Sequence, residues 1–159
     1  MEVENKPKIL FSESLVFLDS LAADQDTYFD GTVAILLEKG LVRETFLEKI
    51  KQREKNYPTG LPTESVAIAL PHTDIEHVVD PFIAVTRVVK PVHWIEMGSD
   101  DSPVEVQFIF MLGLKDKNSH VELLQNLIEA FSDSEFVSAM LNTTSATETV
   151  SILNSKVQI

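Results

Sequence analysis

Apolar residues return at two different periods along this chain. Between 24 and 40, Phe29, Val33, Leu36 and Leu37 recur at i, i+4, i+7 and i+8, one face of a helix, and Gly40 suits the position just past its end. A second helix is predicted over 42–56, with Val42, Phe46, Leu47 and Ile50 on one face and Pro58 and Gly60 ending it. The period then changes. "VAIAL" (66–70) is a short unbroken apolar run, and "FIAVTRVV" (82–89) and "VEVQFIFML" (104–112) are β-branched and aromatic, so all three read as strands. "PVHWIEM" (91–97) reads as a further short strand, and "ILFSESLVFLDS" (9–20) as one preceded by a loose polar start over 1–8. Helical spacing resumes in "NSHVELLQNLIEAF" (118–131), where Val121, Leu124, Leu127, Ile128 and Phe131 share a stripe. Ser119 with Glu122, Ser132 with Glu135 and Ser145 with Glu148 have the capping-box spacing, which predicts three C-terminal helices.

Helices at both ends and nearly unbroken apolar strands between them predict an α/β fold. The arrangement is a three-layer α/β/α sandwich, with helices on both faces of a central mixed β-sheet. One apolar pattern runs throughout, so a single domain over 1–159 is expected.

Charge narrows the partners. The formal net charge is −12, which disfavours nucleic acid and anionic membrane and favours steering of a basic protein partner. The most apolar stretch, 104–114, carries Glu105 and Gln107 and is too short to span a bilayer, so no membrane insertion is expected. There are no cysteines, which removes disulfide and thiolate chemistry. With a polar start that resembles no signal peptide, a cytoplasmic location is expected.

Four histidines carry the candidate chemistry: His72, His77, His93 and His120. His93 beside Trp94 reads as structural, and His77 in "TDIEHV" as solvated. His72 follows Pro71 at the end of the 66–70 strand, where it would stand exposed in a geometry restricted by the proline. Strand ends are where α/β folds place their reactive groups. With Ser119 as N-cap, His120 would open a helix, where imidazolium is disfavoured and the ring stays neutral. A metal site built from His72, Asp74, Glu76 and His77 lacks the usual ligand spacing, so neither a metal nor a cofactor is expected. No nucleophile-elbow sequence and no Gly-rich phosphate loop occur.

"RE" at 53–54, "TG" at 59–60, "AIALPHT" at 67–73 and a histidine opening a later helix, His120, occur in this order. Together they resemble the mannitol–fructose class (type 2) of EIIA domains of the phosphotransferase system, over roughly residues 10 to 155. Three extra residues within "LPTESV" and Thr73 after the histidine resemble the galactitol-type branch. The resemblance implies a phosphotransferase with a phosphohistidine intermediate. A histidine phosphocarrier protein (HPr) would phosphorylate His72, and His72 would pass the group to a cysteine of an EIIB partner. The sugar, galactitol, would be phosphorylated later, as a membrane EIIC component transports it. Arg53, His120 and the Thr73 hydroxyl would donate to the phosphoryl group, and Glu64 is the nearest candidate for the family's active-site glutamate. A regulatory domain of the nitrogen type, acting through phosphorylation-dependent protein binding, is the alternative.

Overall fold

The computed structural model describes residues 11–157. The expected loose start at 1–8 lies outside the described residues. Five strands form one mixed sheet in the order β1-β4-β5-β3-β2, where β1 is Val16–Ser20, β2 Gly60–Pro62, β3 Ala67–Ala69, β4 Phe82–Ile95 and β5 Pro103–Gly113. β1 runs parallel to β4 and β3 parallel to β5, while β4 with β5 and β2 with β3 are antiparallel. Five α-helices complete the fold: α1 (Gln25–Glu38), α2 (Phe46–Asn56), α3 (Lys117–Ala130), α4 (Ser134–Asn142) and α5 (Ala146–Lys156).

The pleat explains the unbroken apolar strands. Phe108, Phe110 and Leu112 of β5 join Ile83 and Val85 in a core with Leu123, Leu127, Phe131, Phe136, Met140 and Leu153 of the C-terminal helices. Ile109 and Met111, one residue out of phase, join Ala84 and Trp94 in a second core with Phe29, Val33, Leu36, Phe46 and Ile50 of α1 and α2. Both faces of the sheet are covered over Phe82–Val85 and Phe108–Leu112, so alternation there brings no polar residues.

Three boundaries differ from the sequence expectation. The segments at 82–89 and 91–97 are one strand, β4, interrupted by an irregularity between Arg87 and Val92 that absorbs Pro91. "GLP" (60–62), which begins at the glycine expected only to end the second helix, forms the edge strand β2. The second helix starts at Phe46 rather than 42, because Val42 bridges Val78 and the Arg43 N–H donates to the His77 carbonyl at 2.9 Å. That bridge ties the segment after His72 to the start of α2.

The caps also differ. α3 is capped by Asp116 and α4 by Asp133, whose side chains accept from the Asn118 and Glu135 N–H groups, so Ser119 and Ser132 lie away from the cap positions. Aspartate accepts such bonds as well as serine does. Ser145 caps α5 as expected, accepting from the Glu148 N–H at 3.0 Å, but the Glu148 carboxylate accepts from Thr143 Oγ1. Gly40 follows α1 with φ 74°, the left-handed conformation that glycine adopts readily. No helix among the described residues is long and apolar enough to cross a membrane.

Candidate active site

The apolar run ends where expected but in a more enclosed place. β3 lies between β5 and the edge strand β2, and the chain beyond it stays against β5. The Leu112 N–H donates to the Pro71 carbonyl at 2.9 Å, and His72 forms a parallel bridge with Leu112. His72 is therefore half-buried rather than exposed.

The ring's proton can be placed. His72 Nδ1 lies 2.8 Å from the Leu70 carbonyl oxygen. A carbonyl only accepts, so Nδ1 carries the hydrogen and Nε2 keeps its lone pair. Burial lowers the pKa of His72 below the usual 6.5, although the Leu70 carbonyl opposes this, and the Arg53 charge lowers it further. The ring is neutral near pH 7.

His120 stacks against it at a tilt, with ring centroids 4.8 Å apart. His120 is the fourth residue of α3 rather than the first, because Asp116 is the cap. Its pKa falls to about 4, chiefly through burial, then through the charges of His72 and Arg53. The neutrality expected from a helix terminus thus has a different main cause. His120 Nε2 is buried without a hydrogen-bond partner, which is uncommon for a buried polar atom.

Arg53 stands in the last turn of α2. Its Nη1 donates to Asp74 Oδ1 at 3.4 Å, and its guanidinium carbon lies 5.2 Å from the centroid of the Tyr57 ring. Asp74 therefore ties α2 to the segment two residues past His72. Arg53, Tyr57, Lys49, buried Thr73 and Asp74 line an open cleft of about 270 Å³.

Glu64 is not part of this cluster. It is exposed at the tip of the β2–β3 hairpin, and β3 runs from that tip toward His72 at its other end. His77, expected to be solvated, is buried, with Nδ1 at 2.7 Å from Thr45 Oγ1. His93 is exposed beside Glu105 at 3.4 Å. Among the described residues no three His, Asp or Glu groups converge to hold a metal.

The carboxylate that the sequence reading missed is Glu54. It is 4% exposed and accepts three hydrogen bonds: from Thr59 N at 2.7 Å, Thr59 Oγ1 at 2.8 Å and Trp94 Nε1 at 2.8 Å. Burial raises its pKa to about 7, against the lowering effect of the Thr59 and Trp94 bonds. Phe46, Ile50 and Glu54 recur at i, i+4 and i+8, and that periodicity could have placed the glutamate on the buried stripe of α2.

Comparisons with known proteins give the family and the fold. The family model described as "Phosphoenolpyruvate-dependent sugar phosphotransferase system, EIIA 2" matches residues 9–156. The galactitol-specific EIIA component of Escherichia coli K12 is 28% identical over 106 residues, covering 67% of this chain and 70% of that protein. Among solved structures, the complex of enzyme IIA-mannitol with phosphorylated enzyme IIB-mannitol from Escherichia coli has a chain that superposes with a TM-score of 0.71. The two are 21% identical, over 92% of this chain and 97% of that one. Nitrogen regulatory protein IIA-Ntr from Neisseria meningitidis superposes with a TM-score of 0.69 at 24% identity, over 91% of this chain and 96% of that one. At these identities the structures establish the fold.

Proposed function

We propose, from the premise that this chain belongs to the EIIA 2 family of the phosphoenolpyruvate-dependent sugar phosphotransferase system, that it carries a phosphoryl group on His72 Nε2. The observation that carries this reading is the bond from His72 Nδ1 to the Leu70 carbonyl, which leaves Nε2 as the nucleophile of a neutral ring. Burial reinforces that state, since a protonated ring could not attack.

The transfer is an in-line exchange. The Nε2 lone pair forms a new N–P bond while the N–P bond on the phosphocarrier's histidine breaks, its electron pair returning to that ring. In the second half-reaction a thiolate of EIIB attacks the same phosphorus, and the pair returns to Nε2. Such transfers depend mostly on positioning and charge stabilisation. His120, with an unpartnered Nε2 beside His72, can meet a phosphoryl oxygen once it arrives. Arg53 can meet it by exchanging its long contact with Asp74 for a charge-assisted bond to phosphate. Thr73 lines the same cleft as Arg53 and offers a hydroxyl.

The galactitol relative and the "YPTGLPTE" segment (57–64) support galactitol as the transported sugar and a galactitol-type EIIB as recipient. A IIA-mannitol relative forms a complex with phosphorylated IIB-mannitol, which supports EIIB as the class of partner.

The test is incubation with phosphoenolpyruvate, enzyme I and the phosphocarrier, followed by mapping of the labelled residue. His72 should carry the label, and His72→Ala should fold normally and accept none. Full labelling of that variant, or label on another residue, would overturn the assignment. Discharge should be faster to a galactitol-type EIIB than to a mannitol-type one.

A further inference from the structure

Glu54 has no part in the transfer as described, yet a buried carboxylate is costly unless its environment holds it. All three of its hydrogen bonds come from neutral donors. An apolar residue on this stripe of α2, which also holds Phe46 and Ile50, would pack without that cost. The position of its partners shows what the carboxylate does instead.

Above about pH 7, where Glu54 is ionised, its carboxylate only accepts, so the Thr59 hydroxyl gives its single hydrogen to Glu54 Oε1. The lone pairs of that hydroxyl are left for the Leu70 N–H, which donates to Thr59 Oγ1 and to the Thr59 carbonyl, each at 3.3 Å. The Leu70 carbonyl in turn accepts from His72 Nδ1 at 2.8 Å. One continuous, one-directional chain of bonds thus runs from α2 through the start of β2 and the end of β3 to the reactive ring. Glu54 Oε2 adds a clamp, taking both the Thr59 N–H and the Trp94 Nε1–H and so fixing this end of β2 against β4.

We propose that Glu54 is a positioning residue for His72, orienting Thr59 and through it the Leu70 carbonyl that keeps the ring proton on Nδ1. The inference rests on His72 being the phosphoryl acceptor. Linked bonds in a low-dielectric interior polarise one another, so the direction set at the carboxylate is felt at the carbonyl. Glutamine at 54 has one accepting oxygen where the carboxylate has two. To keep the Thr59 and Trp94 N–H groups on that oxygen it must turn its NH2 toward Thr59 Oγ1, which reverses the hydroxyl from donor to acceptor. Valine at 59 removes the hydroxyl while keeping the shape of the side chain and the backbone bond to Glu54.

The experiment compares wild type, Glu54→Gln and Thr59→Val with 15N-labelled histidine. The two ring-nitrogen shifts of His72 report which nitrogen holds the proton, and circular dichroism and thermal melting report the fold. The rate of phosphorylation by the phosphocarrier is measured beside them. In the folded variants the Nε2–H form of His72 should become populated, and kcat for phosphoryl acceptance should fall by about tenfold or more, with KM for the carrier unchanged. A purely structural role would lower stability without moving the tautomer. Folded variants that keep the wild-type tautomer overturn the proposal, whatever their rates. If Glu54→Gln does not fold, Thr59→Val decides alone. If the wild-type label maps to a residue other than His72, the function proposed above falls, and the tautomer comparison still decides whether Glu54 controls this ring.

Discussion

At the residue scale, the site is two neutral imidazoles kept neutral mainly by burial. The sign of the resulting pH dependence follows. His120 has a pKa of about 4 in the folded chain against 6.5 when unfolded. Between those values the unfolded chain binds the extra proton, so stability is lost as pH falls through that window. His72, also lowered, acts in the same direction. Glu54 acts oppositely: its folded pKa is about 7 against 4.5, so the folded chain holds the extra proton and stability is lost as pH rises from 4.5 toward 7. His120→Gln should therefore cost less stability at about pH 5 than at about pH 7, read as the shift in urea midpoint at each pH. A constant difference would mean that His120 is not desolvated in the folded state. The same variant should still accept phosphate on His72 but discharge more slowly to EIIB, by less than the roughly 100-fold seen for a donor in a closed site. His72 could be singled out in the sequence because Pro71 marks it, and His120 and Arg53 through the order of motifs. Glu54 stood in the same Arg-Glu pair and on the buried stripe of α2, but its role and that of Asp74 were not legible, because they lie in contacts to Thr59, Trp94 and Arg53 that the fold creates across 5 to 40 residues of chain.

At the scale of elements, long periodic helices and apolar strands were legible, and short or irregular ones were not. β2 has three residues and is defined by its neighbours: Gly60 pairs with Ala69 on one side and bridges Glu96 on the other. No period can show in so short a stretch. The same neighbours explain the glycine of the Thr-Gly motif. A Cβ on Gly60 would lie 2.6 Å from the Ile95 carbonyl oxygen and 2.6 Å from Val104 Cγ2. The carbonyl is backbone, at the end of β4, and cannot yield as a flexible side chain would. Gly60→Ala should destabilise the fold by about 1–3 kcal/mol, the range for overpacking a filled interior. It should also slow phosphorylation of His72, because Thr59 and the edge of β3 move with β2. Urea unfolding and the acceptance rate measure the two effects. An alanine variant with wild-type midpoint and rate would show that β2 can shift away from β4 without consequence for the site. The caps show the other limit of sequence reading. Asp116 and Ser119 are both good N-caps, and only the start of the backbone helix decides between them.

At the scale of the whole molecule, the three layers follow from strand composition, but the strand order does not. Nothing in an apolar run states that β1 pairs with β4 or that β3 lies between β5 and β2. What the order achieves is a sheet whose two central strands, β4 and β5, serve both cores at once. Phe108 and Phe110 place their rings 5.5 and 5.9 Å from Phe131, while Ile109 between them faces the opposite core. The chain's single tryptophan, Trp94, is fully buried in that opposite core, 6.0 Å from Tyr28 and 5.9 Å from Phe29. It therefore reports on one layer, while far-UV circular dichroism reports on helices in both. A cavity made in the other layer tests whether the sheet couples them. Phe131→Ala should cost about 3–5 kcal/mol, as large-to-small changes in a close-packed core do. If β4 and β5 transmit the loss, the Trp94 fluorescence transition and the dichroism transition should move to lower urea together and by the same amount. A Trp94 transition that stays at the wild-type midpoint while the dichroism splits into two steps would show two independently unfolding halves. In that case the pairing of His72, just past β3, with His120, on α3, would be lost before the α1–α2 layer melts, because His120 belongs to the helix layer that Phe131 holds in place.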